Sequence, residues 1–366
     1  MDLRKASPRA AIASAGAIVL MVAMAAPAAA HHDFGTNTYL QSNLVSDIPG
    51  VARRTDPNLV NPWGMSFGPT TPVWVSENHT GVSTLYSGAV NGGHLTTIPL
   101  VVTTPNGDAT GQVYNPTSDW VVSSGSDSGP ALFIFASEAG TISGWSPGVP
   151  SPAPSTQAQV AVFHPHAIWK GLAISTGSGG DFLYAANFHS GHVDVFDGDW
   201  NAVHMPGAFE DPSIPAGFAP FNIQNFNGSL YVTYAKQDAD KADDAHGPHR
   251  GYIDVYDLSG NLLRRLVSRG HLNSPWGLAW APSDFGRFSG DLLVGNFGDG
   301  RISAYDPVTG AFQGQLRNPD GTKIAISGLW GLLFGNGTAG SPHTLLFTAG
   351  LADESHGLMG TIEFHP

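Results

Sequence analysis

The chain has 366 residues, no cysteine and a formal net charge of −13. Its 42% apolar content is enough for a large core, and that core cannot lean on disulfides. So acidic a chain suits neither nucleic acid nor an anionic membrane face, which both reward clustered Lys and Arg; solubility is the plain reading of the charge.

In chain order, residues 1–30 come first and read as a secretory leader. Arg4, Lys5 and Arg9 form the basic start, residues 11–25 an apolar stretch, and Ala28, Ala29 and Ala30 a small-residue cleavage site. The mature chain is expected to begin near His31 and to be secreted, extracellular or periplasmic, with a still more negative charge once those three basic residues are lost against Asp2. An uncleaved anchor would need a longer, less Ala-rich stretch. No second candidate span follows, so stable membrane insertion is not expected. At the new N-terminus, His31 and His32 could chelate copper through the amine and a ring, but no further ligand is identifiable.

Beyond the leader, 46 Gly and 27 Pro argue for short strands joined by turns. An isolated strand at 39–46 precedes a sixfold repeat. The repeat opens with a turn and an inner apolar strand, clearest as Asn61-Pro62-Trp63-Gly64-Met65, Ser274-Pro275-Trp276-Gly277-Leu278 and Gly328-Leu329-Trp330-Gly331-Leu332. Weaker copies begin at Thr110, Trp169 and Pro220. With Gly64, Gly111, Gly171, Asn222, Gly277 and Gly331 equivalent, the period is roughly 50 residues, that of a propeller blade.

In each copy a second strand ends in a polar turn and a third closes on an aromatic and Asp. The runs 292–306 and 182–197 show this best, with Ile302 and Ala304, or Val193 and Val195, alternating as in a packed sheet. A more polar fourth strand follows, as at 262–267. The last copy stops at Pro366 without one, and the strand at 39–46 is expected to supply it, leaving no open sheet edge. The prediction is one all-β domain over 31–366: a monomeric six-bladed β-propeller of four-stranded antiparallel blades, closed by the N-terminal strand. Residues 145–156, rich in Pro and Ser, lengthen the second blade as a surface loop. Residues 238–249, with Asp238, Asp240, Asp243, Asp244, His246 and His249, separate the second and third strands of the fourth blade, as a solvated acidic loop or a cation-binding lid.

The Pro62-Trp63-Gly64 and Pro275-Trp276-Gly277 openings resemble NHL-type six-bladed propellers. The stretches 43–47, 56–64, 185–189, 219–224, 231–238 and 296–300 are similar to a family of secreted bacterial proteins of this size, known mostly as conserved hypothetical, some with a C-terminal sorting tail that does not occur before Pro366. That resemblance implies a fold and free secretion, and no established reaction.

Function is therefore sought at the channel mouth, where inner strands begin and the turns between second and third strands converge. Strand starts offer Trp63, Trp169, Phe221, Trp276 and Trp330; turns offer Glu77, Asn78, His79, Glu138, Asn187, His189, Gln237, Asp238, Asn296, Asp299, Glu354 and His356. Candidate ligand-binding residues are Trp63, Asn222, Gln224, Gln237, Trp276 and Trp330. The alternatives are that each Trp packs between blades and that turn Asn and Asp bond their own backbone. Asn222 and Gln224, one strand step apart on an inner strand, are the polar pair expected to line the channel.

Six-bladed phosphotriesterase, lactonase and gluconolactonase propellers hold a calcium-like ion on the axis, and Glu77, Glu138, Asn187, Asn222 and Asn296 are the candidate set here for Ca2+ or another divalent cation. His189 and His356, with His79, are candidate proton carriers, against the alternative of solvated rim histidines. Gly125-Ser126-Asp127-Ser128-Gly129 imitates a nucleophile elbow with Asp at its centre, and no zincin helix, P-loop or dinucleotide fingerprint occurs. Two functions are expected: a binding or scaffold protein for an extracellular small molecule, glycan or protein, or a metal-dependent hydrolase or lyase acting on a lactone, ester or polysaccharide. The first is favoured because no catalytic constellation is specific.

Overall fold

Six antiparallel sheets follow one another in chain order, and their inner strands pack side by side until the sixth meets the first, closing a ring. The computed structural model describes residues 37–177 and 179–366; the leader at 1–30 and His31 and His32 lie outside the described residues. Blade 1 comprises Pro62–Ser66, Val73–Glu77, Val82–Gly88 and Leu95–Thr103. Blade 2 comprises Ala109–Tyr114, Phe133–Ser137, Thr141–Trp145 and Gln159–Phe163, with a hairpin (Val121–Ser124, Asp127–Pro130) inserted after its inner strand. Blade 3 has Trp169–Ser175, Phe182–Asn187 and His192–Asp197; blade 4 has Phe218–Phe226, Ser229–Lys236, Tyr252–Tyr256 and Leu262–Ser268. Blade 5 has Pro275–Trp280, Leu292–Asn296, Ile302–Tyr305 and Phe312–Gln315, and blade 6 has Leu329–Phe334, Leu345–Leu351 and His356–His365.

The glycine of the repeat has a steric reason. A Cβ on Gly111 would stand 2.6 Å from the backbone N of Leu172, and one on Gly277 would stand 2.5 Å from the carbonyl of Trp330. Only glycine lets neighbouring inner strands approach so closely around the axis. The Asp that ends a third strand also has a local role: Asp257 Oδ1 accepts from the amides of Ser259 and Asn261, each at 2.9 Å, and Asp197 and Asp306 make the same kind of turn.

The N-terminal strand closes the ring as expected. Thr38–Ser46 runs antiparallel to His356–His365, pairing Tyr39 with Phe364, and Arg54–Thr55 adds a short parallel strand outside it. Tyr39 is fully buried and donates to the carbonyl of Phe285 at 3.0 Å, tying the closing strand to blade 5. Blade 3 departs from the four-strand plan, its sheet having three strands among the described residues. The chain after it returns only far enough for Val203 N to donate to Val195 O at 2.8 Å, and Pro206, Pro212 and Pro215 then lack the N–H that a ladder needs. The elbow-like Gly125 is the turn of the inserted hairpin, with φ 59°.

Candidate functional site

At the start of the inner strands the axis is plugged by aromatic rings. Trp63 and Trp330 stack with centroids 3.4 Å apart, Trp276 stands edge-on to both at 5.9 and 5.8 Å, and Phe221 lies 5.8 Å from Trp330. All four are buried. They form the centre of a packed cluster rather than a platform facing solvent, so the packing alternative describes them.

Above this plug sits Lys170, a group that the sequence analysis passed over. Its side chain is 1% exposed. The ammonium lies 5.0 Å from the Trp63 ring centroid and 5.6 Å from that of Phe188. It donates to Glu138 Oε1 and, at 2.8 Å, to Asp243 Oδ1. Burial alone would lower the Lys170 pKa, but Glu138 and Asp243 outweigh it and hold the group above the ordinary lysine range. Glu138 also accepts from Asn78 Nδ2 at 2.9 Å. Asn78 in turn faces Asn61, whose Nδ2 donates to Glu354 Oε2 at 2.6 Å and whose Oδ1 accepts from Trp330 Nε1 at 3.1 Å. Residues of blades 1, 2, 3 and 4 thus meet at one ammonium, and the amides of Asn78 and Asn61 link it to Glu354 of blade 6.

Glu354 is the unusual acid of this mouth. Burial pushes its pKa up to about 7, opposed by the Asn61 hydrogen bond and reinforced by Glu138. Its backbone closes a run of three left-handed residues, Ala352 (φ 52°), Asp353 (φ 52°) and Glu354 (φ 67°). Side chains disfavour that region, and such strain collects where a group must be presented in one direction. Asp108, beside His79 and Glu138, is likewise raised by burial.

The remaining candidates fall in different places. Glu77 is fully buried, with Oε1 accepting from Thr84 Oγ1 at 2.6 Å and Oε2 without a partner. Asn187 makes a turn, accepting from Ser190 N at 3.2 Å and donating to Asp194 Oδ2 at 2.8 Å. Asn222 ties blade 4 to blade 5 by donating to the carbonyl of Trp276 at 2.7 Å, and Asn296 accepts from Asn273 N at 2.8 Å. The five residues of the candidate cation set therefore have separate partners, and no group of three or more His, Asp or Glu among the described residues is placed to hold a metal ion.

Gln237 donates to the carbonyl of Phe188 at 2.6 Å, at the mouth. Gln224 lies at the other end of the channel, where the inner strands finish. His189 is half-buried with Nδ1 unpartnered, whereas His356 pairs with Asp47 at 2.6 Å against the closing strand. Trp169 points between blades 2 and 3 and donates to Asp194 at 2.7 Å. The acidic insertion does reach the mouth, and the cation its Asp243 binds is the protein's own Lys170.

A signal for Lys170 was present. The residue just before the repeat glycine, or before Asn222, is Trp63, Thr110, Lys170, Phe221, Trp276 and Trp330 in turn. Alignment on Gly171 puts Lys170, and not Trp169, in the axial position.

Over 338 residues the chain is 33% identical to an uncharacterized protein of Acanthamoeba polyphaga mimivirus, covering 89% of this chain and 80% of that protein. A second uncharacterized protein of the same virus is 32% identical over 335 residues, with 89% and 86% covered. The chain belongs to the family of these mimiviral proteins. These curated relatives are viral, where the sequence analysis expected a bacterial family, and they carry no assigned activity. No family model matches the chain. Among solved structures, a Bacteroides thetaiotaomicron protein of unknown function is similar at a TM-score of 0.53 and 8% identity, covering 89% of this chain and 76% of that one. A Penicillium chrysogenum α-L-arabinanase, solved with arabinobiose, is similar at a TM-score of 0.51 and 13% identity, covering 89% and 97%. At such identities the likeness is one of fold.

Proposed function

We propose that the protein is a secreted binding protein that takes a hydroxyl-rich extracellular ligand, an oligosaccharide, at the mouth built around Lys170. The observation that carries this reading is the hold of Lys170 on Glu138 and Asp243 above the Trp63 ring. It fixes two carboxylates at the end of the channel where the inner strands begin while leaving them lone pairs to accept from hydroxyls. Glu138 keeps 24% and Asp243 72% side-chain exposure, so both remain within a ligand's reach. The leader-like segment at 1–30 supports export, and the resemblance to secreted bacterial propellers agrees with it. In this reading the Lys170 ammonium supplies the positive charge that calcium would otherwise bring.

Titration calorimetry of the mature protein against cello-, xylo- and arabino-oligosaccharides tests this. At least one series is expected to bind, and Glu138→Gln or Asp243→Asn to weaken it about tenfold or more, since a hydrogen bond to a charged group contributes about 1.5–3 kcal/mol. Absence of binding across the panel, or binding untouched in folded variants, would sink it.

A second reading, acid–base chemistry on a lactone, ester or polysaccharide, is favoured by Glu354, whose pKa near 7 suits a group that both gives and takes a proton. It is identified by turnover that falls in Glu354→Gln with binding retained.

A further inference from the structure

The end of the channel opposite Lys170 holds a second concavity with a different chemistry. Three residues after the repeat glycine come Phe67, Tyr114, Ile174, Trp280 and Phe334; in blade 4, counted from Asn222, that position is Asn225, and the aromatic Phe226 follows it. Each sits within one residue of the end of its inner strand, and each is half-buried where the preceding strand residues are mostly buried. They are not core residues that happen to be large. Together they wall a funnel of about 740 Å3 open to solvent, a size suited to one small organic ligand. No charged side chain lines it among the described residues.

Ser66, Asn225 and Asn227 also line the funnel, but the buried polar groups at its axial end are those of Gln112 and Gln224. Gln112 and Gln224 line both the funnel and a chamber of about 20 Å3 between it and the aromatic plug, where they are joined by Trp276. That chamber has room for a single water-sized group. Gln112 Oε1, Gln224 Oε1 and Trp276 Nε1 are all buried and without a partner. The Gln112 amide cannot be turned the other way, because its Nε2 already donates to the carbonyls of Gly64 at 2.7 Å and Trp74 at 2.8 Å. The chamber is thus lined by an unpaired acceptor, Gln112 Oε1, an unpaired donor, Trp276 Nε1, and the amide of Gln224, which can present either end. A hydroxyl can answer both kinds, whereas an ammonium only donates and a carboxylate only accepts. Leaving such groups unsatisfied in a buried place is costly.

From this we infer that the funnel binds a neutral, ring-bearing alcohol, its rings against the aromatic wall and its hydroxyl in the chamber among Gln112, Gln224 and Trp276. This is a site separate from the Lys170 mouth, taking a ligand of opposite character: apolar over most of its surface, uncharged, and polar at one end. A bound water in the chamber is the competing occupant, and it makes a different demand on the ligand. With water in place and its hydrogen bonds spent on those three side chains, a ligand hydroxyl would gain little there, and the funnel would scarcely distinguish an alcohol from its deoxy counterpart.

The test is therefore a matched pair, naphthaleneethanol and ethylnaphthalene, titrated into the mature protein with ligand-observed NMR and with tryptophan fluorescence, Trp280 being in the wall. Naphthaleneethanol is expected to bind about tenfold more tightly than ethylnaphthalene, the size of one satisfied buried hydrogen bond. Gln224→Leu is expected to remove that preference while leaving ethylnaphthalene unaffected, and Trp280→Ala to weaken both. Gln112 is left intact because it ties blade 1 to blade 2. Equal binding of the pair by the unaltered protein, binding of neither, or a preference that survives Gln224→Leu would each overturn the inference. The comparison in the unaltered protein decides the matter even if a variant fails to fold.

Discussion

An ammonium as buried as that of Lys170 is tolerable only while its two carboxylates stay with it. Removing one partner of such a pair is harsher than removing both, since the survivor is left without compensation. Lys170→Met is therefore expected to destabilise the fold by about 3 kcal/mol, and Lys170→Met combined with Glu138→Gln by clearly less than the sum of the single changes. Urea melts of the four proteins check this; strict additivity would mean that the contact between Lys170 and Glu138 contributes nothing. Glu138, Asp238 and Glu354 were placed at the mouth from the repeat alone, because a turn between second and third strands has one place to go in a propeller blade. Lys170 was missed for a physical reason. A lysine in an inner strand reads as an interruption of the apolar pattern until the carboxylates that neutralise it, 32 and 73 residues further off along the chain, are known to converge on it. No local periodicity records such a meeting.

At the scale of the element, closure is the step on which the others depend. Blades 1, 2, 4 and 5 take their outer strand from the chain that directly follows the third, whereas the strand that pairs the outer edge of blade 6 is Thr38–Ser46, from before blade 1. Tyr39 anchors that strand beneath Phe285 and Phe288 with ring centroids 4.9 and 5.9 Å away. Tyr39→Ala is expected to lower stability by about 3 kcal/mol, as for other buried aromatics. Deleting 38–46 should leave a protein that aggregates through the exposed edge, followed by light scattering and thermal melts, with shortening of the 145–156 loop as the control. A deletion variant that stays monomeric with an unchanged Tm would refute the closing role. This strand was legible in the sequence because its partner was missing: a last repeat one strand short and a spare strand at the other terminus define each other. The three-stranded blade 3 was not legible in the same way. Its turn after Asp197 matches those of its neighbours, and only the later prolines keep the returning chain off the sheet edge.

For the whole molecule, six repeats determine a ring and a ring determines two mouths, which is why the architecture could be derived from spacing while the two sites could not. Both sites depend on which side chain replaces an aromatic or an aliphatic one at a single repeat position, and composition averages that away. The balance of charge leads to a global expectation. Burial raises Asp254, despite its Arg265 partner, to about 6 and Glu354 to about 7, and it raises Glu77 well above the ordinary carboxyl range. A carboxyl whose folded pKa exceeds its unfolded one binds its proton more tightly in the native state. The stability it contributes is full below the unfolded pKa and is lost as pH rises through the folded one. Asp257 and Asp211 are shifted the other way, by turn and ion-pair hydrogen bonds that outweigh burial, and their contribution is lost as pH falls through the ordinary carboxyl range. Stability should therefore peak in mildly acidic solution, between about pH 4.5 and 6, and decline toward pH 8. Glu77 allows the cause to be isolated. Its Oε1 accepts from Thr84, which an amide oxygen does equally well, and its Oε2 has no partner to lose. Glu77→Gln should raise Tm at pH 8, where the acid resists ionisation in the fold and ionises freely when unfolded, and leave it nearly unchanged near pH 4.5. Calorimetric scans at the two pH values distinguish this from a metal-ligand role for Glu77, in which the same substitution would lower Tm at pH 8 and calcium would raise it in the unaltered protein alone.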